Sequence, residues 1–170
     1  STLAKTDGEL AALREAGLVR LYLGVESGSD AVLRAVNKGV TAPEMLAAGQ
    51  RLVKAGFDLW TMVLIGLAGP GEKSRSHALD TAALINAMGP RHLSALTYLP
   101  TPGTPLARQA ERGEFQLLDA REALEETRLL LESLQVSPLH FTSDHASNYL
   151  PLKGGLPEER EKFLSLLDEA

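Results

Sequence analysis

Apolar and polar residues alternate along the first hundred positions in blocks that predict strands followed by helices. Apolar runs at residues 18–25, 57–65 and 93–99 predict three strands. The run at 57–65 is apolar apart from Asp58 and Thr61, which is typical of a strand buried on both faces of a parallel sheet. The short connections between strand, loop and helix predict right-handed βαβ units on a parallel sheet.

Capping signals mark several of the predicted helices. Thr41 and Glu44 have the spacing of a capping box, and Asp119 and Glu122 repeat it. Each pair predicts that a helix begins there. Helical periodicity also predicts a first helix that ends at Gly17, and further helices over residues 28–36, 74–88 and 158–167.

Composition and charge limit the class of protein. The chain has 170 residues, of which 44% are hydrophobic and 23% are charged, as in an ordinary folded domain. A net charge of −5 and the absence of a basic run argue against a nucleic-acid-binding surface. The longest apolar stretch, 59–68, is too short to span a bilayer, and residues 1–5 lack a secretory hydrophobic region. We therefore expect a cytoplasmic protein.

The chain contains no cysteine. Disulfides, thiolate nucleophiles and cysteine-held iron–sulfur clusters are therefore excluded from this chain. The His, Asp and Glu residues also show no recognisable metal-ligand spacing. We expect His77 at an exposed helix start, in a structural or solvated role, and Asp144 and His145 as structural hydrogen-bonding groups.

Polar or glycine residues lie at the carboxyl end of each of the three predicted strands, where ligands bind in parallel sheets; at the third strand these are Thr97 and Tyr98. Glu26 follows the first strand, where it is either a partner of the next helix dipole or a ligand-binding carboxylate. Lys38, taken alone, indicates a solvated cation at a helix end. The glycine-rich loop at 66–71 and the proline-rich run at 100–105 are, taken alone, a flexible turn and a linker.

Five segments in a fixed order resemble the radical S-adenosylmethionine (radical SAM) superfamily. The branch is the one with methylthiotransferases and oxygen-independent coproporphyrinogen oxidase-like proteins. The segments are GVESGSD (24–30), NKG (37–39), AGF (55–57), LIGLAG (64–69) and PTPGTPL (100–106).

The resemblance implies an α/β fold, namely a partial (β/α) barrel. Residues 1–106 would supply strands four to six of a radical SAM (β/α)6 barrel, and residues 107–170 a mostly helical C-terminal extension. It also implies S-adenosylmethionine and a [4Fe–4S] cluster as cofactors. The intact enzyme would cleave S-adenosylmethionine reductively, and the resulting 5′-deoxyadenosyl radical would abstract a hydrogen atom from a substrate.

The resemblance also carries cofactor-binding roles over to individual positions. Polar side chains would contact the ribose or the amino-acid part of the cofactor. A lysine would face the cofactor carboxylate, where it keeps the positive charge of an arginine but cannot make the bidentate contact. Backbone near a glycine and the end of the third strand would approach the adenine. The residues are Glu26, Ser27, Lys38, Gly66, Leu67 and Tyr98. No catalytic residue and no metal ligand is nominated.

Two departures from the family pattern stand out. Met62 occupies a position where many relatives carry an aspartate, and the cluster-binding CxxxCxxC motif is absent. We therefore expect a fragment of a longer enzyme that is inactive alone, although a non-catalytic α/β binding or scaffold domain is the alternative. A half barrel would expose a sheet edge, so we expect either a homodimer through that edge or cover from the C-terminal helices. The resemblance does not identify the substrate, because one fold serves many substrates.

Overall fold

The computed structural model describes residues 5–170 and contains one five-stranded sheet with helices. In chain order the elements are α1 (Asp7–Glu15), β1 (Arg20–Glu26), α2 (Asp30–Ala35), α3 (Ala42–Lys54), β2 (Asp58–Ile65), α4 (Glu72–Met88), β3 (His92–Thr97), α5 (Pro105–Glu111), α6 (Ala120–Ser133), β4 (Leu139–Thr142), β5 (Lys153–Leu156) and α7 (Arg160–Glu169).

The strands follow chain order across the sheet. Strands β1 to β4 are parallel, and β5 pairs with β4 in the antiparallel direction. The predicted α/β class with a mostly parallel sheet is confirmed. The division of the chain at residue 106 stays a prediction, and residues beyond it supply β4, β5 and α6 to the same sheet and its helical layer.

The main core lies between one face of the sheet and the helices. Strand residues such as Val25, Leu59 and Phe141 share this core with Leu52 of α3 and Ile85 of α4. The opposite face carries Tyr22, Gly24, Glu26, Trp60, Met62, Leu64, His92, Ser94, Leu96 and His140, all half-buried or exposed. We call this second face the open face.

Burial along β2 corrects one expectation. Its residues alternate between buried and half-buried, so Val63 and Ile65 are buried while Met62 and Leu64 are not fully covered. The prediction that this strand is buried on both faces was wrong. Within residues 5–170 the helices that fill the main core pack on the opposite side, so an apolar strand remains partly exposed on the open face.

Both predicted capping boxes are present. The hydroxyl of Thr41 accepts a hydrogen bond from the Glu44 amide, and the Glu44 carboxylate accepts one from the Thr41 amide at 2.8 Å. Asp119 and Glu122 make the same exchange at the start of α6.

In the part of the chain that the structure describes, no helix combines the length and apolar character needed to cross a membrane.

Candidate functional site

Strand β1 ends in a backbone irregularity at Glu26. The register with β2 shifts between Gly24 and Glu26, and Glu26 has a φ of 63°. A non-glycine residue in this left-handed region is uncommon, and a bulge of this kind redirects a side chain at the end of a strand. The local backbone therefore determines where the Glu26 carboxylate lies.

The redirected carboxylate of Glu26 pairs with Lys38. The Lys38 ammonium lies 3.0 Å from Glu26 Oε1, and about a quarter of each side chain is exposed (26% and 25%). Both groups lie over Gly24, because a Cβ added there would be 2.5 Å from Glu26 Oε1 and 3.4 Å from Lys38 Nζ. Thus Lys38 is not a solvated helix-end cation, and Gly24 provides the space for the ion pair.

Ser27 lies on the other side of the same turn. Its side chain is buried, and its hydroxyl accepts a hydrogen bond from the Ser29 amide at 3.0 Å. The next residue, Gly28, donates its amide to the Thr81 hydroxyl, and a Cβ there would lie 2.2 Å from the Asp80 carbonyl oxygen. This close approach to α4 fixes the turn that presents Glu26.

Gly66, directly after β2, faces the helical layer. Its φ is 82°, its amide donates to Glu126 Oε1 at 2.9 Å, and an added Cβ would lie 3.2 Å from Leu118. Glycine is required by this backbone conformation, which an L side chain rarely adopts.

Leu67 and Tyr98 belong to a second, smaller apolar cluster at the carboxyl ends of the strands. Leu67 is buried with Val32 of α2 and Leu106 of α5, and Tyr98 packs against this cluster. The Tyr98 ring meets Phe115 edge to face at 6.2 Å, and its hydroxyl is buried and has no hydrogen-bond partner among residues 5–170. An unpaired hydroxyl is costly where it is buried.

The six predicted site residues therefore fall into three groups. Glu26 and Lys38 form the ion pair, Leu67 and Tyr98 share the small cluster, and Ser27 and Gly66 shape the backbone turns. Glu26 is the last residue of β1, Ser27, Gly66, Leu67 and Tyr98 follow the ends of β1, β2 and β3 directly, and Lys38 lies beyond α2.

A buried polar cluster near Gly66 was not predicted. The Glu126 side chain is 0% exposed, and it accepts hydrogen bonds from the Gly66 amide and the Ser74 hydroxyl while His77 Nδ1 lies 2.9 Å away. His77 is 2% exposed, so the prediction of an exposed helix start was wrong. Glu126 is in helical register with the buried residues Ala123 and Leu130 of α6, and this spacing is the signal that could have identified it as a buried carboxylate.

Polar and aromatic side chains cross the open face nearer the amino ends of the strands. Trp60 stacks on His92 at 4.1 Å, and the Arg20 guanidinium lies 4.5 Å from the Trp60 ring. Asp58 accepts hydrogen bonds from Arg20 at 2.8 Å and from Trp60 at 3.1 Å, and His92 Nε2 lies 3.1 Å from its other oxygen.

Arg20, Asp58, Trp60 and His92 form a polar row across β1, β2 and β3, and two of them, His92 and Asp58, have shifted pKa values. Burial lowers the pKa of His92, with help from the nearby charges of His140 and Arg20, while Asp58 opposes the shift. Burial favours the neutral form of Asp58, but its hydrogen bonds from Arg20 and Trp60 outweigh that effect and hold the pKa of this carboxyl below its usual range.

The arrangement at the strand ends suits one kind of ligand. A carboxylate beside an ammonium, each about a quarter exposed, can bind a zwitterion, because the carboxylate accepts and the ammonium donates charge-assisted hydrogen bonds. The neighbouring apolar cluster and the unpaired Tyr98 hydroxyl suit a flat group with a polar edge. Among residues 5–170, no three His, Asp or Glu side chains converge as a metal site.

Comparison with known proteins gives a family match and several relatives of one kind. Residues 1–84 match the model of a family described as the radical SAM superfamily. The chain is 33% identical over 119 residues to a tRNA-2-methylthio-N(6)-dimethylallyladenosine synthase of Shewanella sp. (strain W3-18-1), which covers 69% of this chain and 24% of that protein. The same kind of synthase from Legionella pneumophila (strain Corby) is 31% identical, with 69% and 26% covered. The chain thus spans about a quarter of the length of these curated relatives.

A solved structure supports the fold. The archaeal Methanocaldococcus infernus Elp3 with an N-terminal deletion superposes with a TM-score of 0.66 at 18% identity. The match covers 96% of this chain and 39% of that one. At this identity the likeness concerns the fold, and it agrees with the partial barrel.

Proposed function

The chain belongs to the radical SAM superfamily, and on that premise we propose that the complete protein is a radical SAM enzyme. In this proposal the chain supplies one wall of the S-adenosylmethionine site, at the carboxyl ends of β1, β2 and β3. The family implies S-adenosylmethionine and a [4Fe–4S] cluster as cofactors. A chain without cysteine does not supply the thiolates that hold such a cluster, so those ligands belong to another part of the protein.

The Glu26–Lys38 ion pair is the observation that carries the proposal. The amino-acid part of S-adenosylmethionine has one carboxylate and one ammonium, and its ribose has two hydroxyls. Lys38 would donate to the carboxylate, and Glu26 would accept from the ammonium or the ribose hydroxyls. Because both side chains are about a quarter exposed, a ligand can reach them without unfolding the turn.

The remaining predicted residues contribute shape and one polar contact. Tyr98 would use its unpaired hydroxyl at the polar edge of the adenine, and Leu67 would maintain the apolar cluster beside it. Ser27 and Gly66 hold the backbone turns on which this wall depends. When bound, the cofactor and the cluster supply reductive cleavage to a radical that abstracts hydrogen, while these residues orient the cofactor and exclude water.

Further parts of the proposal concern the protein as a whole. We propose that the 170-residue chain alone is inactive and that the protein is cytoplasmic. The relatives in the comparison are named as tRNA-modifying synthases, but the shared segment is about a quarter of their length. We therefore assign no substrate to this protein.

The absence of cysteine also favours a second candidate, a non-catalytic α/β binding domain. Such a domain would keep the ion pair as a ligand site or a structural contact but would have no cluster in the complete protein. The same experiment separates the two candidates.

The test uses the complete protein, purified without oxygen and reconstituted with iron and sulfide. We expect release of 5′-deoxyadenosine on reduction, and a KM for S-adenosylmethionine that rises about tenfold in Lys38→Met and in Glu26→Gln, because each loses a charge-assisted contact. Lys162→Met, an exposed lysine of α7, is the control and should behave as wild type. No 5′-deoxyadenosine from protein with a spectroscopically confirmed cluster would refute the proposal, and a complete protein that binds no cluster would favour the non-catalytic candidate.

A further inference from the structure

The loop between β4 and β5 is tied to the end of β3 by one side chain, that of Asn148. Strand β4 pairs with β3 only as far as Ser94 and Thr142. The last residues of β3 extend past that point, and among them Ala95 and Thr97 are only 1% and 8% exposed. Their backbone groups on the β4 side therefore need other partners, because a buried backbone group without a hydrogen bond is costly.

The carboxamide of Asn148 supplies these partners. Its Nδ2 donates to the Ala95 carbonyl oxygen at 2.9 Å, and its Oδ1 accepts from the Thr97 amide at 2.8 Å. A residue of a neighbouring parallel strand makes the same two bonds, one to a carbonyl and one from the amide two residues further along. The Asn148 side chain thus continues the sheet where β4 has ended.

Every hydrogen-bonding position of this carboxamide is occupied. Oδ1 of Asn148 also accepts from the Thr97 hydroxyl at 2.9 Å, and Nδ2 also donates to the Ser143 carbonyl oxygen at 2.9 Å. The Asn148 amide in turn donates to the His145 carbonyl oxygen at 3.0 Å, which closes a turn within the loop. Because two donors and two acceptor positions are all used, the carboxamide is held in one orientation.

Tyr98 follows this clamp directly. Its amide donates to the Ile65 carbonyl oxygen of β2 at 2.8 Å, so β2 holds the backbone on one side and Asn148 holds it, through Thr97, on the other. We propose that Asn148 is a positioning residue of the S-adenosylmethionine site and acts through Thr97 on Tyr98. The inference rests on the function proposed above, and it brings into the site a loop that lies outside the family match at residues 1–84.

The test uses the complete protein, purified without oxygen and reconstituted as above, with 5′-deoxyadenosine release measured against S-adenosylmethionine concentration. Asn148→Ala removes all four bonds of the carboxamide. We expect the KM for S-adenosylmethionine to rise about tenfold, the effect of losing one hydrogen bond between Tyr98 and the adenine. The kcat should stay within about twofold of wild type, because a contact that binds ground state and transition state alike affects KM.

Asn86→Ala is the matched control for a purely structural effect. Asn86 is also half-buried, and its carboxamide also joins backbone groups, since Oδ1 accepts from the amides of Gln135 and Val136 and Nδ2 donates to the Ser133 carbonyl oxygen. It lies on α4, which precedes the amino end of β3. This variant should lose stability as Asn148→Ala does but keep the wild-type KM. An equal rise of KM in both variants would overturn the proposal.

A double variant tests whether Asn148 acts through Tyr98. Tyr98→Phe removes the hydroxyl, so adding Asn148→Ala to it should change KM by no more than about twofold. Two full effects that multiply to about a hundredfold would contradict the proposal.

Thr97→Val keeps the test decisive if Asn148→Ala does not fold. It removes only the hydroxyl bond to Asn148 Oδ1 and should raise KM by a smaller factor, about threefold. Wild-type KM in this variant and in any folded Asn148→Ala would overturn this inference alone. A wild-type protein that carries the cluster but releases no 5′-deoxyadenosine would instead refute the proposed function, and this inference with it.

Discussion

Glu26 combines backbone strain with charge at the end of β1. A left-handed conformation costs a non-glycine residue about 1 to 2 kcal/mol, and Glu26 has a φ of 63°. A partly exposed ion pair such as Glu26–Lys38 contributes up to about 1 kcal/mol. The carboxylate is therefore present at a position where glycine would be at least as stable, which is typical of a residue kept for function.

The variant Glu26→Gly tests this interpretation. We expect its free energy of unfolding to be unchanged or raised by up to about 1 kcal/mol, because the released strain offsets the lost ion pair. Urea denaturation measures the change. In the complete protein the affinity for S-adenosylmethionine should fall.

Asn37→Gly is the matched control, since Asn37 is the other non-glycine residue with a positive φ in residues 5–170. It should gain less stability, because asparagine tolerates this conformation better than glutamate. It should also retain the cofactor affinity. A clear loss of stability in Glu26→Gly would mean that the ion pair contributes more than the strain costs.

The sequence predicted which candidate residues lie near the strand ends, but not how their side chains contact one another. The positions of Glu26 and Ser27 followed from the predicted strand end. The ion pair with Lys38 depends on the positive φ of Glu26, and no pattern in the sequence predicts that backbone conformation. Likewise, His77 appeared exposed because its helix begins with polar residues. Its burial depends on Glu126, which is 49 positions away.

At the scale of elements, local signals predicted the structures that local interactions stabilise. The two predicted capping boxes and the positions of the first three strands are of this kind. Strand β5 was missed because Gly154 and Gly155 give it little strand propensity, and pairing with β4 imposes the extended conformation. Helix α5 was missed because Pro105 suggested a linker, whereas proline is favourable in the first turn after the Thr104 cap.

The polar row across β1, β2 and β3 makes stability depend on pH. The pKa of His92 is lowered in the folded state, chiefly by burial. Below pH 6.5, the usual pKa of histidine, the unfolded chain therefore binds a proton at His92 more readily than the folded chain does. Stability is therefore retained above pH 6.5 and lost as the pH falls toward the folded-state pKa. The lowered pKa of Asp58 adds a second loss, which sets in below its ordinary value of 3.8.

The variant His92→Gln should remove the first of these losses. We expect the free energy of unfolding of wild type to decrease from pH 7.5 to pH 5 more steeply than that of the variant, as measured by urea denaturation at several pH values. The absolute stability of the variant will also change, because His92 stacks on Trp60, but the comparison concerns the slope. His145→Gln, at an exposed histidine, should keep the wild-type slope. Parallel slopes for wild type and His92→Gln would contradict the assignment.

At the scale of the whole molecule, the two edges of the sheet differ. Strand β5 is four residues long and contains Lys153 and two glycines, features that discourage pairing with another chain. Strand β1 is seven residues long and pairs with β2 alone within residues 5–170. Leu18, Val19 and Tyr22 are exposed beside this edge at 36%, 57% and 63%.

We therefore propose that the 170-residue chain forms a dimer through β1, with the two copies of the strand antiparallel about a two-fold axis. Light scattering after gel filtration should show a mass that rises from 18.2 kDa toward twice that value as concentration increases. Val19→Lys with Tyr22→Lys should shift the equilibrium to the monomer, because lysines at a sheet edge oppose pairing. Leu99→Lys changes a residue of similar exposure (59%) away from this strand and should leave the dimer intact. A constant mass of 18.2 kDa at every concentration would mean that β1 does not pair with a second copy, despite its exposed apolar side chains.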